Sequence, residues 1–206
     1  MIIKVCGMRE AENIREVEAL GIDLIGFIFW EKSSRYISKR PAYLPTKCKR
    51  VGVFVDEDIE SVKRIADDYA LDYIQLHGHE SSDYCAQLQG LHLIKAISVS
   101  SRNDIATYKT YEGLVEYILF DTKCPSVGGS GQQFDWSVLS AYDGSTPFLL
   151  SGGIGPDDAE RLRALRVLDG FPVERCAGID LNSRFELAPG LKDVIKLQAF
   201  IKELSI

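Results

Sequence analysis

Short runs of Val, Ile, Leu and Phe alternate along the chain with stretches whose apolar residues recur at every third or fourth position. The runs cover residues 2–6, 23–29, 50–55, 73–77, 93–98, 117–121, 148–151 and 177–180. Their near-continuous apolar character is that of strands buried on both faces of a parallel sheet. Residues 10–20, 59–70, 82–88, 157–168 and 191–204 carry the helical repeat of amphipathic helices. Strand and helix alternate at about 25 residues per unit, which is βαβ geometry. Eight such units with short connections predict an α/β fold, a closed (β/α)8 TIM barrel, as a single domain over residues 1–206. An open dinucleotide-binding sheet would carry G-x-G-x-x-G after its first strand, and the first turn here reads Cys6-Gly7-Met8-Arg9 instead. Between the second and third strands, Pro41 and Pro45 leave room only for a short or irregular helix.

Composition narrows the function classes. With 30 Asp+Glu against 24 Lys+Arg there is no broad basic footprint for nucleic acid or an anionic membrane, although a local cationic pocket for a small anion is compatible with that balance. The cysteines Cys6, Cys48, Cys85, Cys124 and Cys176 are odd in number and form no C-x-x-C pair. They suggest neither a disulfide framework nor a zinc ribbon, and fit reduced thiols in the cytoplasm. The chain enters its first strand without a charged and apolar leader, and no apolar run approaches the roughly 18 residues of a membrane span. A cytoplasmic protein with no membrane partner is expected, monomeric or homodimeric.

In a parallel barrel the chemistry sits where strands open into loops at their C-terminal ends. Cys6 ends the first strand two positions after Lys4, so period-two alternation turns both side chains to the same side, the barrel interior. One reading is a small buried hydrophobe. The other is a reactive thiol, because Gly7 opens space beside it and the Lys4 cation favours a thiolate if the two approach. Asp121 ends a strand of bulky apolar residues, where desolvation raises a carboxyl toward the range of a general acid. A helix-capping carboxylate is the alternative. The long loop that follows Asp121, with the next N-cap candidate only at Asp135, favours chemistry. Gly128 and Gly129 in that loop read as a cover over the site or a flat backbone contact, and equally as a plain flexible loop.

Loops after strands seven and eight form a recurrent phosphate site of this architecture, and here they read Ser151-Gly152-Gly153-Ile154 and Asp180-Leu181-Asn182-Ser183. Gly152, Gly153, Asn182 and Ser183 are therefore candidate phosphate contacts, and a small phosphorylated substrate is the expected ligand. Arg35, after strand two, could pair bidentately with a substrate carboxylate, or could be a solvated surface arginine. His77 should point to the same rim, while His79 and His92 read as exposed or structural. The three histidines lack metal-ligand spacing, so no metal is expected.

Lys4-Val5-Cys6-Gly7, Ser34-Arg35-Tyr36, Gly52-Val53-Phe54-Val55, Gln75-Leu76-His77-Gly78, Phe120-Asp121 with the segment from Gly128 to Trp136, Ser151-Gly152-Gly153-Ile154 and Gly178-Ile179-Asp180 together resemble the phosphoribosylanthranilate isomerase family of tryptophan biosynthesis. They span nearly the whole chain in the family's order. The resemblance implies an Amadori rearrangement, in which N-(5'-phosphoribosyl)anthranilate becomes 1-(2-carboxyphenylamino)-1-deoxyribulose 5-phosphate without a cofactor. It further implies Asp121 as general acid, Cys6 as general base, Arg35 on the anthranilate carboxylate, Gly153, Asn182 and Ser183 at the phosphate, and His77 and Asp180 lining the pocket.

One stretch departs from the family. After strand eight the usual Ser-Ser-Gly-Val-Glu is Asn182-Ser183-Arg184-Phe185-Glu186 here. If the glycine normally holds positive φ, Arg184 is strained or the loop remodelled; otherwise the arginine adds a charge-assisted contact to phosphate. Competing readings are a metal-dependent pentose-phosphate epimerase, an indole-forming synthase using Lys4 or Lys95 inside the barrel, and a non-catalytic phosphate-binding barrel.

Overall fold

Eight parallel strands close on themselves in sequence order in the computed structural model, which describes residues 1–122 and 135–204. They are β1 (Ile2–Val5), β2 (Leu24–Ile28), β3 (Lys49–Phe54), β4 (Tyr73–Leu76), β5 (Leu93–Val99), β6 (Tyr117–Thr122), β7 (Phe148–Leu150) and β8 (Cys176–Leu181), each within one residue of the expected ends. β8 returns to β1 with Lys4 opposite Asp180 and Val5 opposite Leu181. Closure leaves no unpaired sheet edge.

The helices α1 (Ala11–Glu18), α2 (Ile59–Tyr69), α3 (Ser82–Gln87), α4 (Arg102–Ile105), α5 (Ala159–Arg166) and α6 (Val194–Leu204) cover the outside. Among the described residues none is long and apolar enough to cross a membrane. The segment carrying Pro41 and Pro45 forms no helix. It is tied down instead by the buried Glu18 carboxylate, which accepts from the Thr46 and Lys47 amides and the Tyr43 hydroxyl. Helix α6 corrects one expectation, since it does not begin at residue 191. Leu191–Lys192 is a strand, β10, paired antiparallel with β9 (Glu186–Ala188). Asp193 then accepts from the Lys196 amide, a cap that prevents the helix from extending backwards.

Two apolar cores result. One lies between barrel and helices; the other fills the lower lumen with Leu24, Val51, Ile94, Ala96, Leu119 and Leu149. Above that plug, strand alternation brings Lys4, Gln75, Ser151 and Asp180, all buried, to the middle of the barrel. Gly26 on β2 makes room there: a Cβ at this position would stand 2.7 Å from Cys6 Sγ.

The same alternation turns Lys95 out of the lumen, which corrects its candidacy as an interior catalytic lysine. Its Nζ donates to Glu80 Oε2 (2.8 Å) and to the carbonyls of Gly78 (2.7 Å) and Leu76 (3.2 Å). Glu80 also accepts from the amides of Asp56 and Gly78, so one carboxylate joins the loops after β3 and β4. Replacing one member of such a buried pair strands the other's charge, at about 3–5 kcal/mol. Glu80→Leu should lower urea-unfolding stability by roughly that amount, and the joint Glu80→Leu/Lys95→Met variant should regain most of it. Equal losses in the single and double variants would show that the stranded charge is not the cause.

Candidate active site at the C-terminal mouth

Lys4 lies fully buried in the lumen, with Nζ 2.9 Å from Asp180 Oδ1. Burial works against its ammonium, but the facing Asp180 and Cys6 outweigh it and raise the Lys4 pKa. The Ser151 hydroxyl donates to the other Asp180 oxygen at 3.4 Å. Cys6 lies above this pair, 4% exposed, and its side chain interacts with Lys4. Lys4 and Lys192 pull its thiol down, yet burial dominates and pushes it up. The expectation of a depressed thiol is corrected accordingly, because an enclosed thiolate forgoes water that the two ammonium groups do not fully replace.

Across the mouth, Asp121 Oδ2 lies 3.2 Å from His77 Nε2, and Oδ1 accepts from the Thr122 amide at 2.9 Å. Period two puts Gln75 beneath His77 on the same face, with Gln75 Nε2 2.8 Å from His77 Nδ1. Asp121 lies one residue before the end of β6, and among the described residues the next helical turn is capped by Asp135, which accepts from the Ser137 amide. Gly128, Gly129 and Cys124 lie outside the described residues.

Arg35 is no solvated arginine. Only 9% exposed, it donates from Nε to Glu186 Oε1 at 2.8 Å and from Nη2 to Oε2 at 2.6 Å. Glu186 also receives Lys192 Nζ at 2.6 Å and the Gly190 amide at 3.1 Å. Burial would raise the Glu186 pKa, but Arg35 and Lys192 outweigh it and hold the carboxyl below its usual range. Lys192 donates onward to Asn182 Oδ1 at 2.7 Å. Gly7, at φ +74°, fits between the two sides: a Cβ there would stand 2.6 Å from Arg35 Cδ and 2.8 Å from Asn182 Oδ1. The Asn182 side-chain oxygen is thus already engaged by Lys192.

After β7, consecutive positive φ values at Gly152 (+88°) and Gly153 (+69°) require glycine. Ser183 opens a 3-10 turn, Ser183–Phe185, directly after β8. Arg184, inside that turn, has no positive φ, so the strain considered for it does not arise. Its exposed side chain reaches over the β7 loop, with Nε 3.1 Å from where a Gly155 Cβ would stand. His79 and His92 are exposed and pair with Asp56 and Glu116. Among the described residues no three His, Cys, Asp or Glu side chains group as a metal site.

Sequence reasoning missed the roles of Glu186, Lys192 and Gln75. The turn pair Pro189-Gly190 and the N-cap Asp193 were the available signals that Lys192 precedes the last helix rather than lying on it. Nothing local announces that Lys192 points inward.

The family model described as N-(5'phosphoribosyl)anthranilate (PRA) isomerase matches residues 3–203. The N-(5'-phosphoribosyl)anthranilate isomerase of Parabacteroides distasonis is 52% identical over 212 residues, covering 99% of this chain and 93% of its own. The phosphoribosyl anthranilate isomerase structure from Thermotoga maritima aligns with a TM-score of 0.84 at 34% identity, over 100% of this chain and 99% of that one. A further solved phosphoribosyl anthranilate isomerase, 30% identical with a TM-score of 0.79 over 100% and 99% of the two chains, is a complex with reduced 1-(o-carboxyphenylamino)-1-deoxyribulose 5-phosphate.

The lowered Glu186 pKa sets a pH dependence. A carboxyl with a depressed folded-state pKa stabilises the fold above its unfolded value, about 4.3, and loses that contribution as pH falls through the folded value. The stability gap between wild type and Glu186→Gln should therefore be flat from neutral pH to about pH 5 and narrow below about 4.3, read by denaturant titration. A gap that stayed constant to pH 3 would mean that the carboxylate charge is not what Arg35 and Lys192 engage.

Proposed function

The chain belongs to the N-(5'-phosphoribosyl)anthranilate isomerase family of tryptophan biosynthesis, and from the barrel mouth we propose the chemistry by which its residues carry out an Amadori rearrangement. The observation that carries this reading is the pairing of a thiol and a carboxyl, Cys6 and Asp121, at the ends of β1 and β6 on one mouth. The buried Lys4–Asp180 pair lies in the lumen below them.

Asp121 gives a proton to the furanose ring oxygen of N-(5'-phosphoribosyl)anthranilate. The C1'–O bond breaks, and the anthranilate nitrogen lone pair forms the C1'=N bond of a protonated Schiff base. The Cys6 thiolate then removes the C2' proton, and the freed electron pair forms C1'=C2', giving the enolamine. Tautomerisation protonates C1' and deprotonates the C2' hydroxyl, yielding 1-(2-carboxyphenylamino)-1-deoxyribulose 5-phosphate. Atoms and protons balance without a cofactor. Burial that pushes the Cys6 thiol up makes it harder to ionise, and makes the thiolate a stronger base once formed.

Arg35 holds the anthranilate carboxylate through the edge of its guanidinium not occupied by Glu186. The phosphate sits against the backbone of Gly152, Gly153 and Ser183, near the start of α5. Asn182 shapes this loop through its bond to Lys192, and Arg184 supplies a cation beside Gly155. Of the two lysines considered for the synthase reading, Lys95 is tied to Glu80 outside the lumen, and Lys4, inside it, is paired with Asp180.

Freshly made phosphoribosylanthranilate is fluorescent, and its disappearance measures turnover; no acceleration by purified protein over spontaneous decay would end the proposal. Cys6→Ala and Asp121→Ala should each lower kcat by about two to four orders of magnitude while the fold is retained. Near-normal turnover in either would make that residue structural. Arg35→Ala should act on capture: a charge-assisted bond is worth about 1.5–3 kcal/mol, roughly 10- to 150-fold in KM, with kcat falling much less. An unchanged KM with kcat abolished would assign the guanidinium to the transition state instead.

A further inference from the structure

An imidazole against a general acid is a chemical problem. Free imidazole keeps its proton up to about pH 6.5 and a free carboxyl only to about 3.9, so a histidine beside an aspartate ordinarily takes the proton. The product is an imidazolium–carboxylate pair with nothing to give a ring oxygen. His77 Nε2, 3.2 Å from Asp121 Oδ2, is close enough for that transfer. The other side of the ring, however, meets the Gln75 amide nitrogen 2.8 Å from Nδ1. An amide NH2 only donates, so Nδ1 must accept and carries no proton. An imidazolium has N–H on both nitrogens and is incompatible with this contact.

We propose that Gln75 is a positioning residue that holds His77 as the neutral Nε2–H tautomer, so that the acid proton stays on Asp121. His77 then donates to Oδ2 and orients the carboxyl, and Oδ1, which also accepts from the Thr122 amide, carries the proton to the substrate on its other lone pair. The inference rests on Asp121 being the acid. Gln75 is 1% exposed, on β4 two residues before His77, and cannot be exchanged for water. Its Oε1 is buried without a partner among the described residues. The amide therefore keeps an orphaned carbonyl while its NH2 meets the ring. Turned over, it would present an acceptor to Nδ1, and with Asp121 on the other nitrogen the imidazolium would be favoured from both sides. Of the remaining charges, Asp180 on β8 acts on His77 and is countered by Lys4 at 2.9 Å, while the Lys95–Glu80 pair is closed on itself outside the lumen.

The chain has only three histidines, so imidazole 15N NMR of histidine-labelled protein resolves each one, with His77→Asn assigning the relevant signals. Wild-type His77 should show an unprotonated Nδ1 and a protonated Nε2 at neutral pH, as the Gln75 amide nitrogen facing Nδ1 requires. Gln75→Glu should place an acceptor at Nδ1 and convert His77 to imidazolium at neutral pH. Its kcat should fall about 100-fold or more, with KM within about threefold. A wild-type His77 that is imidazolium or Nδ1–H at neutral pH overturns the inference, and this reading needs no variant to fold. So does a folded Gln75→Glu with neutral His77 and wild-type turnover. Near-normal turnover of Asp121→Asn removes the acid itself, and the inference with it, whatever the spectrum; the two failures are thereby told apart.

Discussion

A buried ion pair, Lys4 with Asp180, is the constraint on which the upper barrel depends. It joins the first and last strands across the closure, where the register sets the two residues opposite each other. A slip of one residue by either strand would turn its charge outward into the apolar layer beneath the helices and leave the other in the lumen without its partner. With the pair satisfied, the lumen can change from an apolar plug to a polar floor within one strand repeat. Cys6 is the next inward position above Lys4, so the same register fixes where the thiol stands.

A second cluster governs the rim. Glu186 sits between Arg35, from the loop after β2, and Lys192, from β10, and Lys192 reaches on to Asn182 after β8. Two cationic side chains share one carboxylate, so the cluster leans positive, as suits the anionic substrate proposed for it. The carboxylate also limits what Arg35 can do: with Nε and Nη2 committed, the guanidinium is held at one angle instead of sweeping the mouth. Preorganisation of this kind lowers the ordering cost of capture. The β9–β10 hairpin, with no place in the eightfold repeat, exists to bring Glu186 and Lys192 to this point.

Much was legible beforehand because a parallel barrel writes itself plainly. Strands buried on both faces must be short and apolar, and all eight were found within a residue of their ends. Cys6, His77 and Asp121 were legible because strand ends on a barrel share one mouth, so a polar residue closing an apolar run is a candidate before any contact is known. Glu186 and Lys192 were not, because they follow the last barrel strand in a segment whose local pattern continues into a helix. The depressed thiol expected for Cys6 failed for a related reason: its sign depends on how much water burial removes, and no sequence distance measures that.

The sequence by itself determined the order of strands and helices, the closure of the sheet and the inward face of each strand, because these follow from side-chain period and chain connectivity. It also marked Gly7 and Gly152 as candidates, where the fold leaves no room for a Cβ, whereas Gly26 came to notice only through its closeness to Cys6 in the barrel. Tertiary structure alone decided the partners: Asp180 for Lys4, Glu186 for Arg35, Glu80 for Lys95 and Gln75 for His77. Two of these four pairings, Lys4–Asp180 and Arg35–Glu186, join opposite ends of the chain. Charge and hydrogen bonding act through a few ångströms of space, and only the closed barrel brings those groups within reach.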